Sequence, residues 1–348
     1  MGVHRFDYRF LAESVPSELA NLTNILYDLR ARNELRLHER PEAFRALRES
    51  AIIESVRGSN AIEGIVTTRA RLEAIVNGGS APQTHSEQEI LGYKAALQEM
   101  YAPGFSATLT EEYIRHLHSL VLGGSSREAG SYKQVDNLIQ ERDAGGRISV
   151  RFTPTPAKET PEAMAQLVGA FHEARQSTSI NELALTACLV VDFLCIHPFT
   201  DGNGRVSRLL TTMLLQQAGF DIGRLISVEG MIDRHKAAYY DALKASSEGW
   251  HTNENDYTPF AVFLFQILYS CYKELDQRFV EGGIARMPKA KQVEAVLQDA
   301  YVPISKAEVC ERLPDVSVKT VERVLSRLVK DGMVEKIGTF RDARYRRL

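Results

Sequence analysis

The sequence lacks the long apolar segments of a membrane or secreted protein. Its longest apolar run, Leu183–Ile196, contains Thr186 and Asp192. The run is also shorter than the roughly 20 apolar residues that a bilayer-spanning helix needs. The first ten residues, MGVHRFDYRF, have no charged and then apolar pattern of a signal peptide. We therefore expect a cytoplasmic protein that does not bind a membrane.

Cysteine and net charge are also low. The four cysteines, at positions 188, 195, 271 and 310, show no paired metal-ligand spacing, so we expect buried thiols. The formal net charge of −3 argues against a generally basic protein that coats nucleic acid. The apolar content of 44% and the length of 348 residues are those of a globular protein with one large core or two to three domains.

The densest cluster of chemically useful residues is the stretch His197–Arg208, HPFTDGNGRVSR, which we name the catalytic loop. Pro198 cannot extend the apolar helix before it, and Leu209–Leu215 has helical spacing, so we expect a helix, a tight loop and a second helix. Gly202 and Gly204 let a ligand approach the main chain. Their N–H groups lie at a helix N-terminus, which favours an anion.

The charged side chains of the catalytic loop suit a nucleoside polyphosphate. Arg205 and Arg208 are three residues apart and lie on one helix face, where two guanidinium groups fit a di- or triphosphate. Asp201 offers a hard oxygen ligand for Mg²⁺ between phosphates. His197 belongs to a residue type with a near-neutral pKa, so we expect it to act as a general base. Each residue alone is ordinary at a turn; the combination within twelve residues predicts a reactive site.

The catalytic loop resembles the signature of the Fic family, H-x-F-x-(D/E)-G-N-G-R-x-x-R, at every specified position. Fic enzymes of this kind transfer AMP from ATP to a hydroxyl side chain of a protein and release pyrophosphate. The resemblance implies that His197 deprotonates the target hydroxyl, that Phe199 is buried and anchors the loop, and that Asp201 binds Mg²⁺.

The resemblance also assigns the contacts with ATP. The backbone of Gly202, Asn203 and Gly204, together with the Asn203 amide, would hold the α- and β-phosphates. Arg205 would contact the β-phosphate and Arg208 the γ-phosphate. Because the whole signature is present, these roles carry over residue by residue.

A second motif, residues 59–64, resembles the inhibitory motif of Fic proteins, (S/T)-x-x-x-E-(G/N). Ser59 and Glu63 are four residues apart and share one helical face, and Gly64 is suited to end the helix. The plainer interpretation is a helix that ends in a surface glutamate. The resemblance instead implies that Glu63 pairs with Arg208, takes the place of the γ-phosphate and blocks productive ATP orientation.

Residues 130–156 have the pattern of a β-hairpin, with a turn at Asp143–Gly146 followed by alternating apolar residues. The resemblance implies a flap, a hairpin that holds the target peptide by strand addition. Lys133, Val135 and Ile139 would be its target-binding residues, although many relatives have arginine where this chain has Lys133. A plain surface hairpin is the alternative.

We expect a mainly α fold in three parts. Residues 1–104 form an N-terminal helical region with the inhibitory helix, and residues 105–280 form a Fic helical core with the β-hairpin flap. Glu281–Gly283 reads as a domain boundary. Residues 287–348 have the pattern of three helices and a β-wing, which predicts a winged helix-turn-helix domain.

The C-terminal domain is more basic than the rest of the chain. It has six Lys and seven Arg against nine acidic residues, a net charge of +4. Its third helix offers Lys319, Arg323, Arg327 and Lys330 for contacts with DNA phosphates. Arginines of the tail add to this charge. A winged helix also serves protein contacts or dimerisation, so a homodimer stays open.

These observations together predict an autoinhibited protein adenylyltransferase that uses ATP and Mg²⁺. Its partner would be a protein with a hydroxyl side chain, and the chain itself is a candidate, through hydroxyls such as that of Ser59. The alternatives within enzymes are phosphoryl transfer and removal of AMP by the same site. The alternative outside enzymes is a DNA-binding regulator whose Fic core senses a nucleotide.

Overall fold

The computed structural model describes residues 4–13, 15–39, 41–122, 126–142, 146–285, 289–298, 303–313, 316–338 and 343–347. Contacts divide the chain into two compact units, Met1–Leu275 and Asp276–Leu348. The first unit includes both the region expected to carry the inhibitory helix and the expected catalytic core. The three-part division stays a prediction.

The first unit is built almost entirely of α-helices. Its helices are α1 Phe10–Glu13, α2 Ser17–Glu39, α3 Pro41–Ile62, α4 Arg69–Val76, α5 His85–Tyr101, α6 Glu111–Val121, α7 Thr160–Arg175, α8 Glu182–Ile196, α9 Asn203–Gln217, α10 Val228–Arg234, α11 Lys236–Ser247 and α12 Thr258–Ala285, which continues into the second unit. Several begin at a side-chain cap. Thr68, Thr84 and Thr110 each accept a hydrogen bond from the N–H three residues on, and Asn181 caps α8 in the same way.

Two strands form the predicted hairpin. Strand β1, Ile139–Arg142, pairs antiparallel with β2, Ile148–Phe152. In the expected turn, residues 143–145 lie outside the described part of the chain. The mainly helical fold with one small hairpin in the first unit is therefore confirmed.

Helix α8 forms the centre of the first unit. All of its residues from Leu183 to Ile196 are buried except Leu194, which is half-buried. The apolar run noted in the sequence is therefore a core helix. Cys188 and Cys195 lie on it and are buried as expected, whereas Cys310 in the second unit is only half-buried.

Helix α3 lies in near backbone contact with α10. A Cβ atom added at Gly58 would lie 2.7 Å from the Gly230 nitrogen and 2.8 Å from the Glu229 carbonyl oxygen. A hydrogen bond of 2.9 Å joins the hydroxyls of Ser55 and Ser227 one turn away. Only glycine permits this approach, so the helix that precedes the inhibitory motif is held firmly.

The described residues of the second unit form three further helices and a three-stranded antiparallel sheet. The helices are α13 Lys289–Gln298, α14 Lys306–Arg312 and α15 Val318–Lys330. The strands, in the order β3-β5-β4, are β3 Ile304–Ser305, β5 Arg344–Arg347 and β4 Val334–Ile337. This composition agrees with three helices and a wing, while the identification as a winged helix-turn-helix stays a prediction.

The expected boundary at Glu281–Gly283 does not interrupt the chain as a linker would. Helix α12 runs through both glycines to Ala285. A glycine in a helix costs only about 1 kcal/mol relative to alanine, so two of them do not end a long helix whose other residues favour it. In the described part of the chain, no helix is both long and apolar enough to cross a membrane.

Candidate active site

The catalytic loop connects α8 to α9 in a strained conformation. His197 ends α8 with a left-handed φ of 52°, and its N–H donates to the Phe193 carbonyl. Gly202, with a φ of 81°, precedes the first residue of α9. A non-glycine residue in the left-handed region costs of order 1–3 kcal/mol, so the surrounding core holds His197 there. Phe199 is fully buried, as expected of an anchor.

His197 is a neutral base in this structure. Its Nδ1–H donates to the Leu194 carbonyl oxygen at 3.2 Å, which leaves the Nε2 lone pair available. Burial, aided by the nearby positive charge of Lys133, lowers the pKa of His197 to about 4. The near-neutral pKa expected from the residue type is therefore wrong, because desolvation disfavours the imidazolium.

The Asn203 side chain holds the loop together from inside. Its Oδ1 accepts the Phe199 N–H at 2.9 Å, and its Nδ2 donates to the Phe199 carbonyl at 2.7 Å. The side chain is only 2% exposed. The amide was expected to hold phosphates, but both of its polar groups are used within the loop. Asn203 therefore shapes the backbone of Gly202, Asn203 and Gly204, which we name the phosphate cradle, by holding the loop from inside.

Arg205 also points into the protein. Its Nη1 lies 3.1 Å and its Nη2 3.2 Å from the carboxylate oxygens of Glu89, and Nη2 is 3.6 Å from Asp201 Oδ2. The residue is 1% exposed and does not line the cavity described below. The contact with the β-phosphate that the resemblance implied stays a prediction, and Arg205 Nε and Nη1 have no hydrogen-bond partner in the described part of the chain. In this structure Arg205 fixes the start of α9 against α5 and faces the Asp201 carboxylate.

Arg208 is bound by Ser59 and Glu63 of the second motif, residues 59–64. Its Nη2 donates to Glu63 Oε1 at 2.7 Å and to the Ser59 carbonyl at 3.0 Å, and its Nε donates to Ser59 Oγ at 2.9 Å. Burial opposes the charge of Arg208, but the Glu63 carboxylate outweighs it and raises the pKa of the guanidinium. Glu63 lies in the turn directly after α3 rather than within the helix, and Gly64 has a φ of 80°.

Glu63 also lies against the glycine backbone of the catalytic loop. A Cβ atom added at Gly204 would be 2.2 Å from Glu63 Oε1 and 3.2 Å from Arg208 Nη1. The carboxylate therefore occupies the space beside the main chain that the sequence assigned to an anion. Glycine is required at position 204 for this approach.

A cavity of about 520 Å³ opens beside the catalytic loop. Its volume suits a small-molecule ligand. The catalytic loop, the residue after α3, the flap and α11 all contribute to its walls. The residues from these parts include His197, Asp201, Gly202, Asn203, Gly204, Arg208, Glu63, Ile139, Arg151, Phe152, Tyr239, Tyr240 and Lys244.

The three residues expected to bind the target on the flap have different positions. Ile139 starts β1 and lines the cavity, and Val135 is 79% exposed. Lys133 is only 3% exposed, and its Nζ donates to the Ile196 carbonyl at 3.1 Å and to Asn137 Oδ1 at 2.8 Å. Lys133 is thus engaged within the protein in this structure, and its contact with the target stays a prediction. Lys133 ties the base of the flap to the end of α8, and its burial lowers its pKa to about 8.

His118 is a positioning residue that the sequence reasoning missed. Its ring stacks on Phe199 with centroids 3.7 Å apart, and its Nε2–H donates to the Asp201 carbonyl at 3.1 Å. Its Nδ1 accepts the Gly130 N–H at 3.0 Å. Since the partners lie far away in the sequence, the only local signal was a histidine on the apolar face of α6.

Two charged residues close the cavity between the flap and α11. Lys244 Nζ lies 3.0 Å from Glu141 Oε1, and both side chains line the cavity. Tyr240 on α11 donates to the Ile62 carbonyl at 3.3 Å, beside the inhibitory motif. None of these three residues stood out in the sequence, because each belongs to an otherwise ordinary amphipathic element.

Comparisons with known proteins agree with this geometry. Residues 108–215 match the model of the Fic/DOC family. A "Protein adenylyltransferase Fic" from Nematostella vectensis is 29% identical over 229 residues, which are 63% of this chain and 47% of that protein. The protein of the same name from Drosophila grimshawi is 28% identical over 236 residues, 66% of this chain and 44% of that protein. The chain thus spans less than half the length of these curated relatives.

Solved structures show the same fold at low sequence identity. A Fic family protein from Desulfovibrio desulfuricans G20 has a TM-score of 0.63 at 22% identity and covers 96% of this chain and 97% of its own. Fic-1 from C. elegans has a TM-score of 0.59 at 22% identity and covers 74% of this chain and 71% of its own.

Proposed function

Because residues 108–215 match the Fic/DOC family model and the relatives named above are protein adenylyltransferases, we propose that this chain is an autoinhibited protein adenylyltransferase that transfers AMP from ATP to a hydroxyl side chain of a protein. The observation that carries the proposal is the 2.7 Å ion pair between Arg208 and Glu63 at the mouth of the phosphate cradle. The ion pair supports a site in which Arg208 binds the terminal phosphate of ATP and Glu63 restrains transfer by holding Arg208.

The terminal phosphates of ATP and the Glu63 carboxylate compete for one guanidinium. Arg208 is 3% exposed and keeps its charge in the interior, so it needs an anionic partner. Glu63 supplies that partner in the resting state. A charged hydrogen bond of this kind contributes about 1.5–3 kcal/mol. We therefore expect that removing Glu63 raises the rate of transfer about 10- to 150-fold.

The phosphate cradle has the features that stabilise negative charge. The N–H groups of Gly202, Asn203 and Gly204 lie at the start of α9, where the helix dipole favours an anion. Preorganised donors of this kind usually supply the largest part of the stabilisation of a transition state. Arg208 completes the cradle once Glu63 has left it.

The Asp201 carboxylate suits Mg²⁺. Its side chain is 75% exposed and lines the cavity, so one oxygen can face a cation while Oδ1 accepts the Gly202 N–H at 2.6 Å. The described residues contain no group of three metal-ligating side chains. In proteins Mg²⁺ is typically held by one or two carboxylates together with substrate phosphates and water, and Asp201 is the carboxylate that we propose for this role. When bound, Mg²⁺ would neutralise phosphate charge.

We propose His197 as the base that removes the proton of the target hydroxyl. Its Nε2 is unprotonated at neutral pH, and the residue lines the cavity beside the cradle. General base catalysis contributes typically 10²–10⁴-fold to the rate. The hydroxyl oxygen then attacks the α-phosphorus, the bond to the β-phosphate oxygen breaks, and pyrophosphate leaves.

The flap offers an edge for the target peptide. Ile148 and Val150 on β2 are each 53% exposed, and Val135 and Leu138 before β1 are also exposed. An extended peptide added to this edge would be held mainly through its backbone, which explains a weak dependence on target sequence. Ser59 is fully buried and bonded to Arg208, so it is not an accessible acceptor for self-modification in this conformation.

The position of the transferred label tests the reaction. Glu63→Gly and Glu63→Gly/His197→Ala proteins are incubated with a cell lysate and Mg-ATP labelled on the α-phosphate or on the γ-phosphate. We expect α-label on protein with Glu63→Gly and its loss in the double variant. Retained binding of a fluorescent ATP analogue would show that the double variant keeps its fold. Protein-bound γ-label would instead establish phosphoryl transfer.

A further inference from the structure

Helix α15 of the second unit exposes a basic stripe. The stripe consists of Lys319, Arg323, Ser326 and Lys330, all exposed. Their spacings of four, three and four residues place them along one line of the helix surface. The opposite face carries the buried residues Val321, Val324, Leu325 and Leu328 of the unit's hydrophobic core. The core therefore fixes which side of α15 faces the solvent.

The charges on either side of the stripe are already neutralised. Glu322 accepts from Lys306 of α14 at 2.6 Å, and Arg327 pairs with Glu294 of α13. By contrast, no ion pair involves Lys319, Arg323 or Lys330 within the described part of the chain. Two acidic residues adjoin the stripe in sequence: Glu322 before Arg323, which pairs with Lys306, and Asp331 after Lys330, which caps the end of the helix. The stripe thus carries three exposed positive charges on one line of the helix surface.

The wing, formed by strands β4 and β5, offers fewer unpaired positive charges than its number of arginines suggests. Arg346 is paired with Glu335 at 2.6 Å across the β4–β5 hairpin. Arg344 donates to the Pro303 carbonyl at 3.0 Å. These arginines were expected to add phosphate contacts, but their guanidinium groups are used to stabilise the sheet. Lys319, Arg323 and Lys330 of α15 therefore form a line of exposed cations to which these two arginines do not add.

We propose that the α15 stripe binds double-stranded DNA. The stripe spans eleven residue steps from Lys319 to Lys330, or about 16 Å at 1.5 Å per residue, and a helix with side chains is about 10–12 Å wide. The major groove of DNA is about 12 Å wide, and a duplex carries one phosphate charge per about 1.7 Å. Val318, 51% exposed at the start of the helix, provides an apolar contact of the kind that meets a thymine methyl group. This binding is separate from nucleotide transfer.

Fluorescence anisotropy of the full chain with a labelled 24-base-pair duplex of mixed sequence tests the proposal. With three phosphate contacts the slope of log affinity against log salt is about −2.7, so affinity falls about 40-fold between 50 and 200 mM salt. The variant Lys319→Gln/Arg323→Gln/Lys330→Gln is expected to bind at least tenfold more weakly at 50 mM salt and with little salt dependence. Glutamine has a helix propensity close to those of lysine and arginine, so the Tm should not change.

A matched control separates the stripe from net charge. Arg5, Arg127 and Lys158 are exposed cations of the first unit, and their triple change to glutamine removes the same charge. This control should bind the duplex like the wild type. Absence of wild-type binding at 50 mM salt would overturn the proposal. So would equal losses in both triple variants, or tighter binding of an RNA duplex of the same length.

Discussion

Replacing His118 by phenylalanine separates the two ways in which this residue supports the catalytic loop. The change keeps an aromatic ring for the stack on Phe199. It removes the hydrogen bonds with the Asp201 carbonyl and with the Gly130 N–H. Each backbone group left without a partner costs about 1–3 kcal/mol, so we expect a loss of about 2–6 kcal/mol in the free energy of unfolding.

The same change should reduce catalysis more than ATP binding. Asp201 and Gly202 would shift when the carbonyl of Asp201 loses its donor, and a misplacement of about 1 Å can cost about 100-fold in rate. The assay is initial-rate α-label transfer together with urea unfolding, both in the active Glu63→Gly background. We expect kcat to fall 10- to 100-fold while the KM for ATP changes less.

His116→Phe is the matched control, since His116 lies on the same helix but is exposed and pairs with Glu99. It should leave both quantities nearly unchanged. If His118→Phe kept the stability and the kcat of its parent, the role assigned to His118 would be wrong.

Three further changes probe other parts of the site. Burial lowers the pKa of His197 to about 4, so the rate of AMP transfer by Glu63→Gly should stay constant between pH 7 and 5. A fall in rate centred near pH 6.5 would contradict the assignment of His197 as a buried general base. Lys244→Glu should release the flap and raise the KM for ATP, and the double variant Lys244→Glu/Glu141→Lys should restore the KM of the parent. A double variant that keeps the raised KM would argue against a role for the ion pair. Gly58→Ala should force α3 away from Gly230, at a cost of about 1–3 kcal/mol in the free energy of unfolding. The displacement should also raise the rate of AMP transfer in a protein that keeps Glu63. An unchanged Tm and an unchanged rate would show that α3 moves freely.

Much of the site could be predicted because its residues are close in sequence. The helix, loop and helix around His197 and the hairpin follow from local patterns, whereas the burial of Phe199 was implied by the resemblance. The pairing of Glu63 with Arg208 came from the resemblance of two motifs, and the structure brings them to 2.7 Å. Physical chemistry alone could say only that a carboxylate and an arginine were each present.

The remaining features depend on partners that are distant in sequence. Arg205 turns inward because Glu89, 116 residues earlier, lies beneath it. His118 is 83 residues from its partner Asp201, so no local pattern could assign it. The lowered pKa of His197 depends on burial, which its position at the end of an apolar helix indicates only in hindsight. Lys133 looked like a surface residue because its anchoring carbonyl at Ile196 is likewise remote.

The central claim is that Glu63 restrains transfer by holding Arg208, and the ratio of two initial rates tests it most directly. Protein-bound α-label would be measured for Glu63→Gly, for the wild type and for Glu248→Gly, whose exposed glutamate also follows a helix but lines no part of the cavity. The account predicts a 10- to 150-fold increase for Glu63→Gly and no change for Glu248→Gly. Equal rates for Glu63→Gly and the wild type would contradict it.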